Sequence, residues 1–233
     1  MKKQLILGTA YLGMKYSYSE FIQMYEIFIK NGHYMLDTAV NYPISGNPQD
    51  FSAAIKILRE VNLPKKSVYV KVGGCQNKGS PETLLNDTYL RFICELVQEY
   101  FQDSLFGIGI HWDNRENLQQ VSSTLSILES IQNFNLVTGF SGVKQFGAYT
   151  SFLNSKQLPY VVQHNLRDLP GIQTSDFSLN WIYGLAKEKL DSPTLLYEKS
   201  NELLKDMRIN AIMIGPTNVA QLNDWLGKLN ARS

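Results

Sequence analysis

Four side chains in this sequence have the chemistry to move protons: the carboxyl of Asp37, the phenol of Tyr42, the amine of Lys71 and the imidazole of His111. Asp37 lies in the stretch Tyr34-Met35-Leu36-Asp37-Thr38-Ala39-Val40-Asn41-Tyr42, where a short apolar run ends on the acid and the phenol follows five residues later. Val68-Tyr69-Val70 runs into Lys71, and Phe106-Gly107-Ile108-Gly109-Ile110 runs into His111. A carboxylate beside an amine keeps it charged, and a charged amine beside a phenol favours loss of the phenolic proton. An amine in such a place can also form a Schiff base. The plainer reading is a structural Asp37–Lys71 ion pair with an incidental His111, since an Asp at a strand end commonly caps the next turn.

Those groups work together only if the chain brings three strand ends to one rim, and the hydrophobic pattern does so. Short apolar runs alternate with longer amphipathic ones. Predicted strands are Gln4–Leu7, the Asp37 stretch, Ser67–Lys71, Phe106–His111, Leu136–Phe140, Pro159–Gln163, Asn180–Tyr183 and Asn210–Ile214. The first predicted helix is capped by Ser19, carries Phe21, Ile22, Tyr25, Phe28 and Ile29, and ends at Gly32. Asn47-Pro48 opens a second, with Ala54, Ile57, Leu58 and Val61 inside. Ser80-Pro81 opens a third, carrying Leu85, Phe92, Leu96 and Tyr100. Further helices cover Leu118–Ile131 and Phe146–Leu153. Another opens at Ser192-Pro193, with Leu196, Leu203, Leu204 and Met207 inside. Asn218 caps the last, which bears Leu222, Trp225, Leu226 and Leu229.

Eight strand–helix pairs without a linker or composition shift predict one α/β domain over residues 1–233, a parallel (β/α)8 barrel. A doubly wound open sheet competes, but no Gly-x-Gly-x-x-Gly follows the first strand. In a barrel the C-terminal strand ends carry the active site. Asp37, Lys71 and His111 then share one rim, with Tyr42 on the loop beside them.

Composition narrows the function. The 233 residues are 44% hydrophobic and 18% charged, which suits one globular domain of this length. A net charge of +1 without a basic block argues against nucleic acid or an anionic membrane as partner. Cys75 and Cys94 are the only cysteines and have no metal-like spacing with His33, His111 or His164, so no metal site is expected and a reduced, cytoplasmic chain is. Met1-Lys2-Lys3 before Leu5-Ile6-Leu7 has a trace of a signal peptide, but Gly8-Thr9 breaks the apolar run and it reads as a first strand. No segment is long and apolar enough to span a bilayer.

Gly8-Thr9-Ala10 with Gly13, Asp37-Thr38-Ala39 with Tyr42, Val70-Lys71, Ile110-His111-Trp112, Gly139-Phe140-Ser141-Gly142, Gln163-His164-Asn165-Leu166 and Ile214-Gly215 resemble the aldo/keto reductase family, in register over nearly the whole chain. The opening is similar to members found among bacterial sugar and polysaccharide genes. The resemblance implies a (β/α)8 reductase using NADP(H) or NAD(H), with Tyr42 as proton donor and acceptor, Lys71 and Asp37 tuning it, and His111 hydrogen-bonding the substrate carbonyl oxygen. Hydride delivery to a carbonyl leaves an alkoxide that needs a proton. An ordinary phenol, with a pKa of about 10, exchanges one slowly at neutral pH unless a cation lowers it.

For the cofactor the resemblance implies Gly8, Thr9, Asp37, Ser141, Gln163, Tyr183, Gly215, Thr217, Gln221 and Asp224, and for the substrate Tyr11, Tyr42, His111 and Trp112, with Met14 placed like Tyr11. Several positions depart from the family. Pro43-Ile44-Ser45-Gly46 replaces its Gly and Glu after the tyrosine. Gly142 replaces the Asn that binds the nicotinamide carboxamide, leaving Ser141 and Gln163 for that group. Trp181 rivals Tyr183 as the ring stacked on the nicotinamide. The short stretch from Gly184 to Ser192 has no long strap, and the pocket is expected to be open. No Lys or Arg lies between Arg208 and Lys228, where the family clamps a 2′-phosphate at the position of Thr217, so NAD is tolerated or preferred. Trp225 replaces an Asn that contacts adenine; it either stacks on the base or packs on the barrel with Leu222 and Leu226.

The favoured expectation is thus an oxidoreductase of carbohydrate metabolism that interconverts a carbonyl and an alcohol on a small carbohydrate-like molecule. A barrel that binds the dinucleotide without turnover is the second reading. A cofactor-independent lyase or epimerase using Lys71 is the third. No oligomeric state is assigned.

Overall fold

The computed structural model describes residues 4–78, 82–185, 199–200 and 202–230. Eight parallel strands close on themselves in the order β1-β2-β3-β4-β5-β6-β7-β8, with β1 also paired to β8. They are β1 (Gln4–Gly8), β2 (Met35–Ala39), β3 (Val68–Val72), β4 (Leu105–Asp113), β5 (Val137–Val143), β6 (Tyr160–Asn165), β7 (Ser178–Tyr183) and β8 (Ala211–Ile214). Around them stand α1 (Tyr18–Lys30), α2 (Ala53–Arg59), α3 (Asp87–Phe101), α4 (Leu118–Gln132), α5 (Phe146–Ser155) and α6 (Val219–Asn230). The (β/α)8 barrel expected from the alternating pattern is the fold. Among the described residues no helix is long and apolar enough to cross a membrane.

Side chains alternate in direction along a strand, so each strand sends every second residue into the barrel. Ile6, Met35, Tyr69, Val161, Trp181 and Ala211 form one buried interior cluster, separate from the larger core between sheet and helices. Two residues further along the same strands come Gly8, Asp37, Lys71, Gln163, Tyr183 and Met213. The interior is therefore apolar below and polar at the mouth, and the chemistry-bearing groups share one layer.

Tyr69 fills the space under that layer. A Cβ on Gly109 would lie 2.0 Å from its hydroxyl oxygen, and one on Gly139 would lie 2.6 Å from it. These two strands give up side chains so that one ring can occupy the centre. The Tyr69 hydroxyl is buried and has no hydrogen-bond partner among the described residues. A buried polar group without a partner costs about 1–3 kcal/mol. Tyr69→Phe is therefore expected to raise stability by up to about that amount, measured as a shift in urea midpoint. A loss exceeding about 1 kcal/mol would mean that the hydroxyl is satisfied after all.

Several local expectations are corrected. Ser17, not Ser19, caps α1 through a capping box with Glu20. Asn47-Pro48 opens a 3-10 turn, Pro48–Asp50, and α2 starts only after Ser52, held at φ 63. In α2, Ile55 joins Ala54 and Leu58 in the core, and Ile57 packs against it partly buried. α3 starts at Asp87 under an Asn86 cap, well beyond Ser80-Pro81, which lie outside the described residues. Its buried face is Leu90, Cys94, Val97 and Phe101, whereas Phe92 is exposed. The 3.6 period puts Leu90, Cys94, Val97 and Phe101 on one face, and Phe92 falls off it. Met207 is exposed, not internal, while Leu203 is buried. Ser192-Pro193, Leu196 and the stretch from 186 lie outside the described residues, as does the side chain of Leu229.

Candidate active site

The Asp37–Lys71 pair forms the centre of the mouth. The Lys71 ammonium donates to Asp37 Oδ1 and, at 3.3 Å, to Gln163 Oε1, while Gln163 Nε2 donates to Asp37 Oδ2. All three side chains are buried. The main chain of Asp37 is anchored too, its carbonyl accepting from Thr9 N at 3.0 Å and Thr9 Oγ1 at 3.1 Å. Burial pushes the Asp37 carboxyl up, against the opposing pull of Lys71. Burial also works against the Lys71 ammonium, but Asp37 and Tyr42 more than offset it and leave its pKa above the ordinary lysine value.

Tyr42 stands over this pair. Lys71 Nζ lies 5.2 Å from the centre of its ring. Burial raises the phenol pKa and the Lys71 charge lowers it, with burial the larger. The expected lowering by Lys71 is present, but the net direction is upward, and Tyr42 is a protonated donor. Its ring meets His111 edge-on, with centres 5.8 Å apart. Burial first, and then Lys71, hold the imidazole pKa well below its usual value, so His111 is neutral. His111 Nδ1 lies 3.3 Å from Asn41 Oδ1, and Asn41 Nδ2 donates to the carbonyl of Gln76 at 2.9 Å.

A cavity of about 200 Å³ opens over these groups. Gly8, Thr9, Tyr11, Ser141, Tyr183 and Gly215 line it together with Asp37, Tyr42, Lys71 and His111. Trp112 and Trp225 are on its wall as well. Thr217, Gln221 and Asp224 are not: Thr217 N and Oγ1 both donate to Gln221 Oε1, at 2.8 and 3.1 Å, and Gln221 and Asp224 are exposed. Met14 is likewise exposed, off the cavity. Trp181, the rival to Tyr183, packs inside the barrel on Tyr69 and Phe106.

Gly142 is explained by its neighbour. Its φ is +67, a conformation that favours glycine, and a Cβ would lie 3.0 Å from the Trp112 ring. Trp112, itself at φ 63, occupies the space an asparagine side chain would need. Gln163 is drawn into the ion pair rather than left free for a carboxamide. Ser141 remains on the wall.

Sequence reading missed three features. Asn41 is one; its polar side chain directly before Tyr42 was the available signal. Lys78 on the cavity wall is another. The third is an adjoining cavity of about 450 Å³ that shares Gln163 and Tyr183 and adds Phe146, His164 and Arg167. His164 is buried there, its Nε2 3.0 Å from Asn180 Oδ1. Cys75 is exposed. Cys94 is buried, its thiol pushed up to about 12 by burial. Among the described residues no cluster suited to a metal ion occurs.

No protein-family model and no curated protein sequence matches the chain. Solved structures do match. A Pseudomonas aeruginosa protein assigned as an aldo-keto reductase superposes with a TM-score of 0.70 at 16% identity, over 97% of this chain and 89% of its own. An aldo-keto reductase from Bacillus halodurans gives 0.67 at 14%, over 97% and 86%. A glycerol dehydrogenase from Gluconobacter oxydans gives 0.67 at 13%, over 97% and 85%. The fold of this chain is thus the fold that aldo-keto reductases have.

Proposed function

We propose that the protein is a nicotinamide-dependent oxidoreductase of the aldo/keto reductase family, interconverting a carbonyl and an alcohol on a small carbohydrate-like molecule. The observation that carries this is a buried phenol, Tyr42, over a buried Lys71–Asp37 pair, with Lys71 Nζ 5.2 Å from its ring centre, at the mouth of a barrel of the aldo-keto reductase fold. When bound, the nicotinamide supplies or accepts the hydride. The lining of the cavity supports a nicotinamide at the mouth, running from Asp37 and Lys71 past Tyr183 to Gly215 and Trp225. Gly8, Thr9, Ser141, Tyr183, Gly215 and Trp225 would hold it. Tyr42 gives its proton to the developing alkoxide in reduction and takes one in oxidation, and Lys71 stabilises the phenolate left behind. Schiff-base chemistry needs an amine free of its proton. Asp37 opposes that at Lys71, which favours the reductase over a lyase.

Cofactor choice gives the direct test. Arg208 is paired with Asp206 at 2.7 Å, and the basic residues on the described cavity wall are Lys71 in β3 and Lys78 after it, not residues after β8. Nothing there offers the charge-assisted bonds a 2′-phosphate seeks. Titration by fluorescence quenching at equal ionic strength should show that both reduced nicotinamides bind, with NADPH no more than about tenfold tighter than NADH, or about 1.4 kcal/mol. Binding of neither would overturn the reductase reading, and a larger NADPH preference would reveal a basic clamp elsewhere.

A further inference from the structure

Behind the cavity wall, the carboxylate of Asp113 at the end of β4 gathers four hydrogen bonds. Its Oδ1 accepts from Arg115 N at 3.0 Å and Arg115 Nε at 2.8 Å. Its Oδ2 accepts from Arg115 Nη2 and from the Tyr149 hydroxyl, each at 2.7 Å. Arg115 also donates to Thr124 Oγ1 at 2.6 Å and to the carbonyl of Gln120 at 2.9 Å. Gln120 and Thr124 belong to α4 and Tyr149 to α5, so the carboxylate is locked between sheet and helices. Burial works against its charge, but the bonds from Arg115 and Tyr149 outweigh this and hold its pKa below the ordinary value.

This placement breaks the alternation of β4. Residues two apart on a strand share a face. Gly107 and Gly109 face Tyr69 inside the barrel, and His111 lines the cavity above them. A regular strand would send Asp113 inward as well. It reaches the helix layer instead, so the residue between must reverse the phase. Trp112 does so at φ 63, a left-handed conformation that a bulky side chain keeps only where its surroundings hold it. Opposite, Gly142 takes φ 67; the ladder pairs His111 with Ser141, passes over Trp112 and resumes with Asp113 on Val143. His111 and Trp112, adjacent in sequence, consequently both line the cavity, their rings 5.7 Å apart.

We propose that Asp113 is a positioning residue: anchored by Arg115 and Tyr149, it holds Trp112 in its left-handed turn and so keeps the indole on the cavity wall beside His111. Asp113 itself is not on that wall. Without the anchor Trp112 relaxes toward an extended conformation, the indole leaves the wall, and the cavity widens between β4 and β5. The wall that a ligand meets is thus set by a carboxylate on the other side of the sheet.

Fluorine NMR of protein labelled with 5-fluorotryptophan reads the indole without any ligand. The chain has three tryptophans, and Trp112→Phe assigns the resonance of interest. Asp113→Ala should shift and broaden it while leaving the Trp181 resonance, buried in the barrel interior, in place. Asp113→Asn and Tyr149→Phe, each of which weakens the anchor and keeps its shape, should move it the same way by less; they carry the test if Asp113→Ala does not fold. In kinetics with glyceraldehyde and NADPH, the one arm that rests on the reductase reading, Asp113→Asn should raise KM by about fivefold and change kcat by less than about twofold. In a Trp112→Gly background, where glycine takes this φ freely, Asp113→Asn should leave KM unchanged. An unmoved Trp112 resonance in both Asp113→Asn and Tyr149→Phe overturns the inference, as does an equal rise in KM with and without the indole. Absence of turnover in wild type would count against the reductase reading, and the fluorine arm then decides the role of Asp113 by itself.

Discussion

Tyr42→Phe is expected to lower turnover of a confirmed substrate by about 10²–10⁴, the usual contribution of a positioned general acid–base. The substitution removes one oxygen and little else. The ring remains to meet His111 edge-on at 5.8 Å, and the surrounding core loses no packing. Nicotinamide affinity, read by fluorescence quenching, should therefore stay within a few-fold of wild type, and KM should change less than kcat. The loss belongs to the transition state, where an alkoxide has formed and no proton is at hand. A variant that turns over at the parental rate would remove Tyr42 from the donor role.

Lys71→Met should impair turnover to a comparable degree, about 10²–10⁴, and should also destabilise the fold. Asp37 is left buried with Gln163 as its remaining partner, and removing one member of a buried pair costs about 3–5 kcal/mol. Burial already pushes the Asp37 carboxyl up, and without the ammonium nothing nearby opposes this strongly. The variant then folds best with Asp37 protonated. A group whose pKa is higher folded than unfolded adds stability at low pH and loses it as pH rises through the folded value. The deficit against wild type, from urea midpoints, should accordingly widen as pH rises above the ordinary carboxylate range. Adding Asp37→Asn should recover most of the stability and none of the activity, separating the structural from the chemical part of the loss. Full recovery of turnover in the double variant would refute the chemical role.

Asp37, Lys71 and His111 were legible because each closes a short apolar run, and a period of two carries all three into the barrel mouth. Tyr42 followed from its distance to Asp37. The network around them was not legible in the same way. Gln163 reaches Asp37 across 126 positions of sequence and His111 reaches Asn41 across 70, distances no local pattern encodes. Helix starts failed where the start signal misled. Asn47-Pro48 begins a 3-10 turn, and α3 is capped by Asn86; separately, its inward stripe is Leu90, Cys94, Val97 and Phe101, not the one through Phe92. Thr217, Gln221 and Asp224 were carried over from a family pattern, and here Thr217 and Gln221 bond each other. Gly142 read as a lost ligand; its φ of +67 and the Trp112 ring close by both disfavour a side chain there.

Beneath the mouth, Ile6, Met35, Tyr69, Val161, Trp181 and Ala211 close the barrel with hydrocarbon and ring faces. The field between Asp37 and Lys71 thus crosses a poorly polarisable floor in place of water. Two unit charges about 4 Å apart attract by roughly 1 kcal/mol in water and roughly 4 kcal/mol at an effective dielectric of about 20. Shrinking Trp181 would admit water under a charge pair the substitution never touches, weakening it and, through Lys71, shifting the proton affinity of Tyr42. The insulation of the barrel, set by residues below the mouth, keeps that pair strong and the phenol at its rim protonated.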